Sequence, residues 1–104
     1  MSRAELAPRA QRELLAAARW IARDNPATAQ ALRDAVDKAT VLTGDHREIG
    51  TARPELADER YRFLMLTGFP YILVYNAKRN PARIVRILHG ARDLPRLLRD
   101  LLPR

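Results

Sequence analysis

The spacing of apolar residues differs between the two halves of the chain, and this difference limits the folds that it can adopt. In the first half apolar residues recur at three- and four-residue steps, the spacing of one helix face. After residue 60, β-branched and aromatic residues fill short runs that are separated by Gly, Pro and Asn, as in strands joined by turns. Helices followed by strands predict an α+β protein.

Two helices are predicted in the first half. The first begins at Pro8, because proline fits a first helical turn in which its missing N–H costs nothing. The second begins after Asn25, a good capping residue, and Gly44 is predicted to end it. A short strand over Arg3–Leu6 is predicted to precede the helices.

Three strands are predicted in the second half, over Tyr61–Leu66, Tyr71–Tyr75 and Arg83–His89. The middle one is apolar throughout, which indicates an internal strand. A helix over Asp93–Leu102 is predicted to close the chain. The predicted layout is (β)ααβββ(α), with a helical hairpin on one face of an antiparallel sheet and the other face free. The loop Thr43–Glu59 is long, and long loops often carry function.

The length of 104 residues predicts one domain over residues 1–104, since two domains would each lack a core. A hydrophobic content of 47% with 30% charged residues is typical of globular chains. No apolar run is long enough for a membrane span or a secretory signal. We therefore expect no membrane partner and a cytoplasmic location.

Several kinds of chemistry are disfavoured by composition. The chain has no cysteine, which excludes disulfides, thiolate nucleophiles and cysteine-ligated metals. Ser2 is the only serine, so a Ser-His-Asp hydrolase is improbable. The two histidines lack metal-ligand spacing, and the four glycines are too scattered to cradle a phosphate. We expect neither a metal nor a cofactor.

Positive charge is concentrated in the second half of the sequence. Residues 1–59 carry 9 basic and 10 acidic side chains (net −1), whereas residues 60–104 carry 10 and 2 (net +8). This asymmetry predicts an anionic partner: nucleic acid, a nucleic-acid machine or an acidic protein. The alternative is coding bias, because 17 of the 19 basic residues are Arg.

One group of residues is a candidate for RNA cleavage, which needs an acid, a base and cations around the phosphate. The candidates are Arg83, Arg86, His89, Arg92 and Tyr75. Alternation along a strand places Arg83 and Arg86 on opposite faces unless a bulge intervenes, which weakens this cluster. His89 is the best acid or base, and its alternative role is to hydrogen-bond the backbone at the strand end.

Trp20 is the only tryptophan and lies off the apolar stripe of the first helix. It either lines the rim of the core or anchors a partner helix, because Trp is enriched in interface hot spots. Small residues on the two helices predict a shallow groove for an amphipathic segment. These residues are Ala16, Ala17, Ala29, Ala31 and Ala35.

Four segments, in order and at matching spacing, resemble the RelE/ParE family of bacterial toxins from type II toxin–antitoxin (plasmid stabilisation) modules. They are Trp20–Ala29, Gly50 with Arg53–Leu56, Tyr71–Tyr75, and Ile84–Pro95. Together they cover nearly the whole chain. The His-Gly-x-Arg-Asp ending at His89–Asp93 is closer to ParE-like members of the family.

The resemblance implies a toxin that a cognate ParD-like antitoxin holds inactive in a hetero-oligomer. In this family an acidic C-terminal segment of the antitoxin wraps the toxin, laying a helix on the helical hairpin and often adding a strand to the sheet. The expected antitoxin contacts in this chain are Trp20, Ala16, Leu32, Arg62 and Arg86.

The resemblance leaves two targets open. ParE-like members are associated with poisoning DNA gyrase, whereas RelE-like members cut mRNA on the ribosome with a cluster of Lys, Arg and a C-terminal Tyr or His. This chain has only Lys38 and Lys78 and no tyrosine after Tyr75, which favours a gyrase-directed toxin without catalysis. The alternative is a ribosome-dependent ribonuclease that uses His89, Arg83, Arg92 and Tyr75.

The expected contacts with the target are Arg79, Arg83, Arg92 and Arg96. A plain nucleic-acid-binding module is a third hypothesis, because the basic second half would also suit naked RNA or DNA.

Overall fold

The computed structural model describes residues 3–103 and confirms an α+β fold. Its helices and strands follow the order β1, α1, α2, β2, β3, β4, α3 and a 3₁₀ turn. Their bounds are β1 Glu5–Leu6, α1 Pro8–Ala22, α2 Pro26–Asp45, β2 Tyr61–Met65, β3 Tyr71–Asn76, β4 Arg83–His89, α3 Leu94–Leu97 and the 3₁₀ turn Arg99–Leu101.

The helical hairpin starts as predicted. Pro8 opens α1, and the side chain of Asn25 caps α2 by accepting a hydrogen bond of 3.1 Å from the Thr28 N–H. The prediction that Gly44 ends α2 is wrong, since the helix continues to Asp45. The fully buried Thr43 holds this last turn in the core, and such packing outweighs the roughly 1 kcal/mol that a helical glycine costs.

The sheet has the strand order β1-β4-β3-β2, so β3 is internal as predicted. β2, β3 and β4 form an antiparallel meander. The short β1 pairs in parallel with β4, which makes the sheet mixed rather than purely antiparallel. β1 lies at the edge of the sheet beside β4, and only Ala7 separates it from α1.

The helical hairpin covers one face of the sheet. Leu32 and Val36 of α2 pack there against Leu73, Ile84 and Ile87 of the strands, all nearly or fully buried. This layer is the larger of the two apolar clusters among the described residues.

The opposite face of the sheet is also covered, which corrects the expectation that it is free. Leu94, Leu98 and Leu101 of the C-terminal segment pack there. Leu56 and Ala57 of the long loop join them over the sheet. The predicted closing helix is shorter than expected, because α3 stops at Leu97 and a 3₁₀ turn follows.

Candidate functional site

β4 holds most of the candidate cleavage residues, and a bulge changes which way they point. The β3–β4 register shifts between Val74 and Tyr75, so that Val74 pairs with Arg86 but Tyr75 pairs with Ile84. Ile84 and Ile87 consequently share the helix-covered face although they are three residues apart. Alternation from Ile84 then places Arg83 on the other face, together with Arg86.

Arg86 is nevertheless not available to a ligand. Its residue is only 3% exposed, and its guanidinium donates to both carboxylate oxygens of Glu13 on α1 at 2.9–3.1 Å. A further bond of 2.7 Å goes to the carbonyl of Leu97 in α3. Arg86 therefore joins α1, β4 and α3, and its guanidinium, which was expected to contact an antitoxin, lies inside the fold.

Tyr75, a candidate for RNA cleavage, is fully buried, so its ring does not reach solvent. Its hydroxyl accepts a bond from the Gly50 N–H and donates one to the Arg47 carbonyl, both at 2.8 Å. Burial raises the pKa of this phenol above its usual value. Gly50 must lack a side chain, because a Cβ would lie 2.8 Å from the Tyr75 ring.

His89 ends β4 in the alternative role that the sequence left open. Its Nδ1 accepts a 3.0 Å hydrogen bond from the Ala91 N–H, which shapes the turn after the strand. Its ring stands edge-on to Tyr71 at 5.3 Å between centroids. Arg83 begins the same strand, six residues and about 20 Å away at strand rise. One phosphate cannot contact both.

The four arginines expected to contact a target fall at two ends of the molecule. Arg79 lies in the β3–β4 loop, 3.2 Å from Glu5, and Arg83 follows it with a buried Nε that has no hydrogen-bond partner. Arg92 and Arg96 follow the opposite end of β4. The four arginines therefore do not form a single patch.

Folding also cancels part of the charge asymmetry seen in the sequence. Three arginines of the second half, Arg60, Arg79 and Arg86, form ion pairs with carboxylates of the first half. The net charge of +8 counted along residues 60–104 is therefore not a matching surface of that charge.

A small groove runs between α1 and the ends of β3 and β4. Ala16 and Trp20 of α1 line it together with His89 and Arg92, and its volume is about 330 Å³. Trp20 is 67% exposed, so most of the indole lies outside the core. Arg23 lies over its ring at 5.0 Å.

Two other residues expected to contact an antitoxin, Leu32 and Arg62, are less exposed than Trp20. Leu32 is fully buried where α2 packs on the sheet. Arg62 is partly exposed, and its guanidinium already donates to the carbonyls of Glu48 and Gly50 at 3.3 and 2.7 Å.

A larger apolar groove lies between α2 and β2, and the sequence predicted only its α2 side. Ala31 and Ala35 were predicted to form a groove, but its other wall is β2, and its volume is about 510 Å³. Leu42 and Met65 are exposed beside it, 39% and 58% respectively. Met65 could have been found from alternation, since it sits one residue from the inward-facing Leu64 and Leu66.

The long loop covers part of the free edge of β2. Thr51 pairs with Phe63 through two backbone hydrogen bonds of 2.9 Å. The Tyr61 N–H donates to the Asp58 carbonyl at 3.0 Å. An added strand would therefore meet the far end of β2, near Met65, rather than its whole length.

Comparisons with known proteins give a matching family and a similar solved structure. The family model described as "ParE toxin of type II toxin-antitoxin system, parDE" matches residues 4–94. The chain is similar in structure to one titled "Chromosomal ParDE TA system from P. aeruginosa", at a TM-score of 0.66 and 23% identity, over 86% of this chain and 96% of that chain. No curated protein matches the sequence.

No helix among the described residues is long and apolar enough to cross a membrane. The resemblance to RelE/ParE toxins, and to ParE in particular, is confirmed by the family match. Because that match spans most of its length, the chain belongs to the ParE toxin family of type II toxin–antitoxin systems.

Proposed function

We propose that this ParE-family toxin stops bacterial growth by binding DNA gyrase in the cytoplasm, without a catalytic step of its own. The observation that supports this best is the dispersal of the residues that RNA cleavage would need. Arg83 and His89 stand at opposite ends of β4, and the Tyr75 hydroxyl is enclosed by Gly50 and Arg47. A protein with no assembled acid, base and cation cluster acts most simply by docking.

Contact with gyrase is proposed for the exposed arginines Arg79, Arg92 and Arg96 and for the partly buried Arg83. Because they lie at two ends of the molecule, the two pairs make separable predictions. Replacing Arg92 and Arg96 together with Gln removes charge beside the Trp20 groove. Replacing Arg79 with Gln removes one charge, at the β3–β4 loop at the other end of the molecule.

Neutralisation is proposed to come from a ParD-like antitoxin with an acidic C-terminal segment. Its apolar residues would fill the groove between α2 and β2, where Leu42 and Met65 are exposed. Its path would continue over the helical hairpin to Ala16 and Trp20, with its acidic groups facing arginines such as Arg62.

The test is a supercoiling assay with purified gyrase, relaxed plasmid and the free toxin. We expect inhibition that rises with toxin concentration and is relieved by prior addition of the antitoxin. The Arg92→Gln/Arg96→Gln and Arg79→Gln proteins show which end of the molecule contributes. Full supercoiling at a stoichiometric excess of wild-type toxin would contradict the proposal.

Mapping of mRNA ends after induction separates the ribonuclease hypothesis from this one. We expect no new cleavage ends, and we expect His89→Ala to inhibit growth as strongly as wild type. New ends that disappear in the His89→Ala protein would instead assign the activity to RNA cleavage.

A further inference from the structure

The exposed face of α1 carries a row of cations that lie in the first half of the sequence, outside the basic half. Arg9, Arg12, Arg19 and Arg23 are all exposed. At 100° per residue they fall within an arc of about 80°, together with Ala16. Between the first and the last of them the helix rises about 21 Å.

These cations are mostly uncompensated. Among residues 3–103, Arg12, Arg19 and Arg23 form no ion pair with a carboxylate, and the guanidinium of Arg23 lies over the ring of Trp20. Arg9 is paired loosely with Asp100 at 3.6 Å. The one acidic residue of α1, Glu13, is already bound to the buried Arg86. Arg92 extends the row, since it lines the groove beside Trp20.

A row of positive charges about 21 Å long suits a partner that carries evenly spaced negative charges. Duplex DNA presents one negative charge per about 1.7 Å of its axis, so a helix face of about 21 Å spans many phosphates. Arginine is suited to phosphate because its planar guanidinium donates two parallel hydrogen bonds.

Two features argue against other polyanions. Single strands are held by several aromatic platforms, whereas Trp20 is the one strongly exposed aromatic residue in the described part of the chain. An acidic peptide needs apolar anchors as well as charge, and on this face those anchors are Ala16 and Trp20 in the groove, where the antitoxin segment is proposed to end. The arginines of the row beyond that groove have no apolar anchor beside them, so in the free toxin they suit a partner that is bound through charge alone.

We propose that the exposed face of α1, with Arg12, Arg19, Arg23 and Arg92, binds the phosphate backbone of duplex DNA. This inference does not depend on gyrase being the target, because it concerns naked DNA.

The single tryptophan makes a direct test possible, since Trp20 lies within the proposed surface. The full-length chain is titrated with a 20-base-pair DNA duplex while Trp20 fluorescence and the anisotropy of labelled DNA are both recorded. We expect both signals to change with the same Kd. With four phosphate contacts, log K should fall against log salt concentration with a slope of about −3.6.

Paired variants locate the surface. Arg12→Gln/Arg19→Gln should reduce the magnitude of the salt slope by about 2 and weaken binding by about tenfold or more. The matched control is Arg33→Gln/Lys78→Gln, which removes the same charge from exposed positions on α2 and the β3–β4 loop. The control should stay within about twofold of wild type. Circular dichroism checks that both double variants keep the helical content of wild type.

Three results would overturn the proposal. One is anisotropy without a change in Trp20 fluorescence, which places the DNA elsewhere. Another is equal loss of affinity in both double variants, which makes the binding a general charge effect. The third is tighter binding of polyglutamate or of a single-stranded 20-mer than of the duplex, which assigns the face to an acidic protein or to unpaired strands.

Discussion

The hydroxyl of Tyr75 joins the long loop to the sheet through its two hydrogen bonds with the backbone of Gly50 and Arg47. Tyr75→Phe keeps the ring but leaves a buried N–H and a carbonyl without this partner. We expect it to lower the free energy of unfolding by about 1–3 kcal/mol, measured by urea denaturation. Tyr71→Phe is the control, because the Tyr71 ring is only partly buried. Equal midpoints for the two variants would contradict this role.

The raised pKa of Tyr75 also predicts a dependence on pH. Below about pH 10 the phenol is protonated in both the folded and the unfolded chain, so its contribution is fully present. Above that pH the unfolded chain loses the proton first, and stability falls as pH rises towards the folded pKa. Urea midpoints measured across this range should fall more steeply for wild type than for Tyr75→Phe. Parallel curves would show that Tyr75 does not contribute.

Glu13 and Arg86 form the one ion pair in the described chain whose arginine is buried, with the Arg86 side chain 4% exposed. Glu13→Ala leaves that guanidinium buried beside an empty position, and we expect a loss of about 3 kcal/mol in unfolding free energy. Glu5→Ala breaks the exposed pair with Arg79 and should cost no more than about 1 kcal/mol. Similar losses in chemical denaturation would mean that burial does not set the strength of this pair.

At the scale of elements, the C-terminal segment closes the second face of the sheet. Leu98 is fully buried there, whereas Leu102 is 40% exposed. Leu98→Ala should therefore cost about 2–4 kcal/mol of unfolding free energy, and Leu102→Ala less than about 1 kcal/mol. Thermal and urea unfolding of the two variants make the comparison. A small cost at Leu98 would mean that the segment is not part of the cooperative core.

The bulge in β4 is an element-scale feature that no local pattern predicted. It turns Arg83 and Arg86 to one face, which strict alternation had placed on two. The two arginines nevertheless differ in their surroundings. Arg86 is bound to Glu13 and Leu97 inside the fold, whereas Arg83 lies at the start of β4, next to the β3–β4 loop.

At the scale of the whole molecule, Trp20 tests the proposed antitoxin surface. Trp20→Ala should weaken the toxin–antitoxin complex by about 2 kcal/mol, close to thirtyfold in Kd, because exposed Trp residues often dominate interfaces. The toxin itself should keep its stability, since Trp20 is 67% exposed. Calorimetric titration with the antitoxin and a thermal melt of the free toxin measure the two quantities. Unchanged affinity would remove Trp20 from the interface.

An antitoxin that reaches Ala16 and Trp20 would also cover the arginines of α1. We therefore expect that the toxin–antitoxin complex loses the binding of duplex DNA proposed for that face. The DNA titration repeated on the complex, with a DNA-binding-deficient antitoxin, gives the comparison.

The order of helices and strands followed from the sequence alone. Periodicity, the cap at Asn25 and Pro8 act over a few neighbouring residues, so they needed no tertiary information. The helix end beyond Gly44 did not follow, because buried contacts of Thr43 outweigh local propensity there.

Tertiary structure decided which side chains remain available to a partner. Arg86, Tyr75 and Leu32 are candidate site residues from the sequence, yet all three are buried by residues that are far away along the chain. Ion pairs such as Arg86–Glu13 join residues 73 positions apart, so charge counted along the chain does not predict charge on the surface. Residue type sets what a group can do, but only packing determines whether solvent and a partner can reach it.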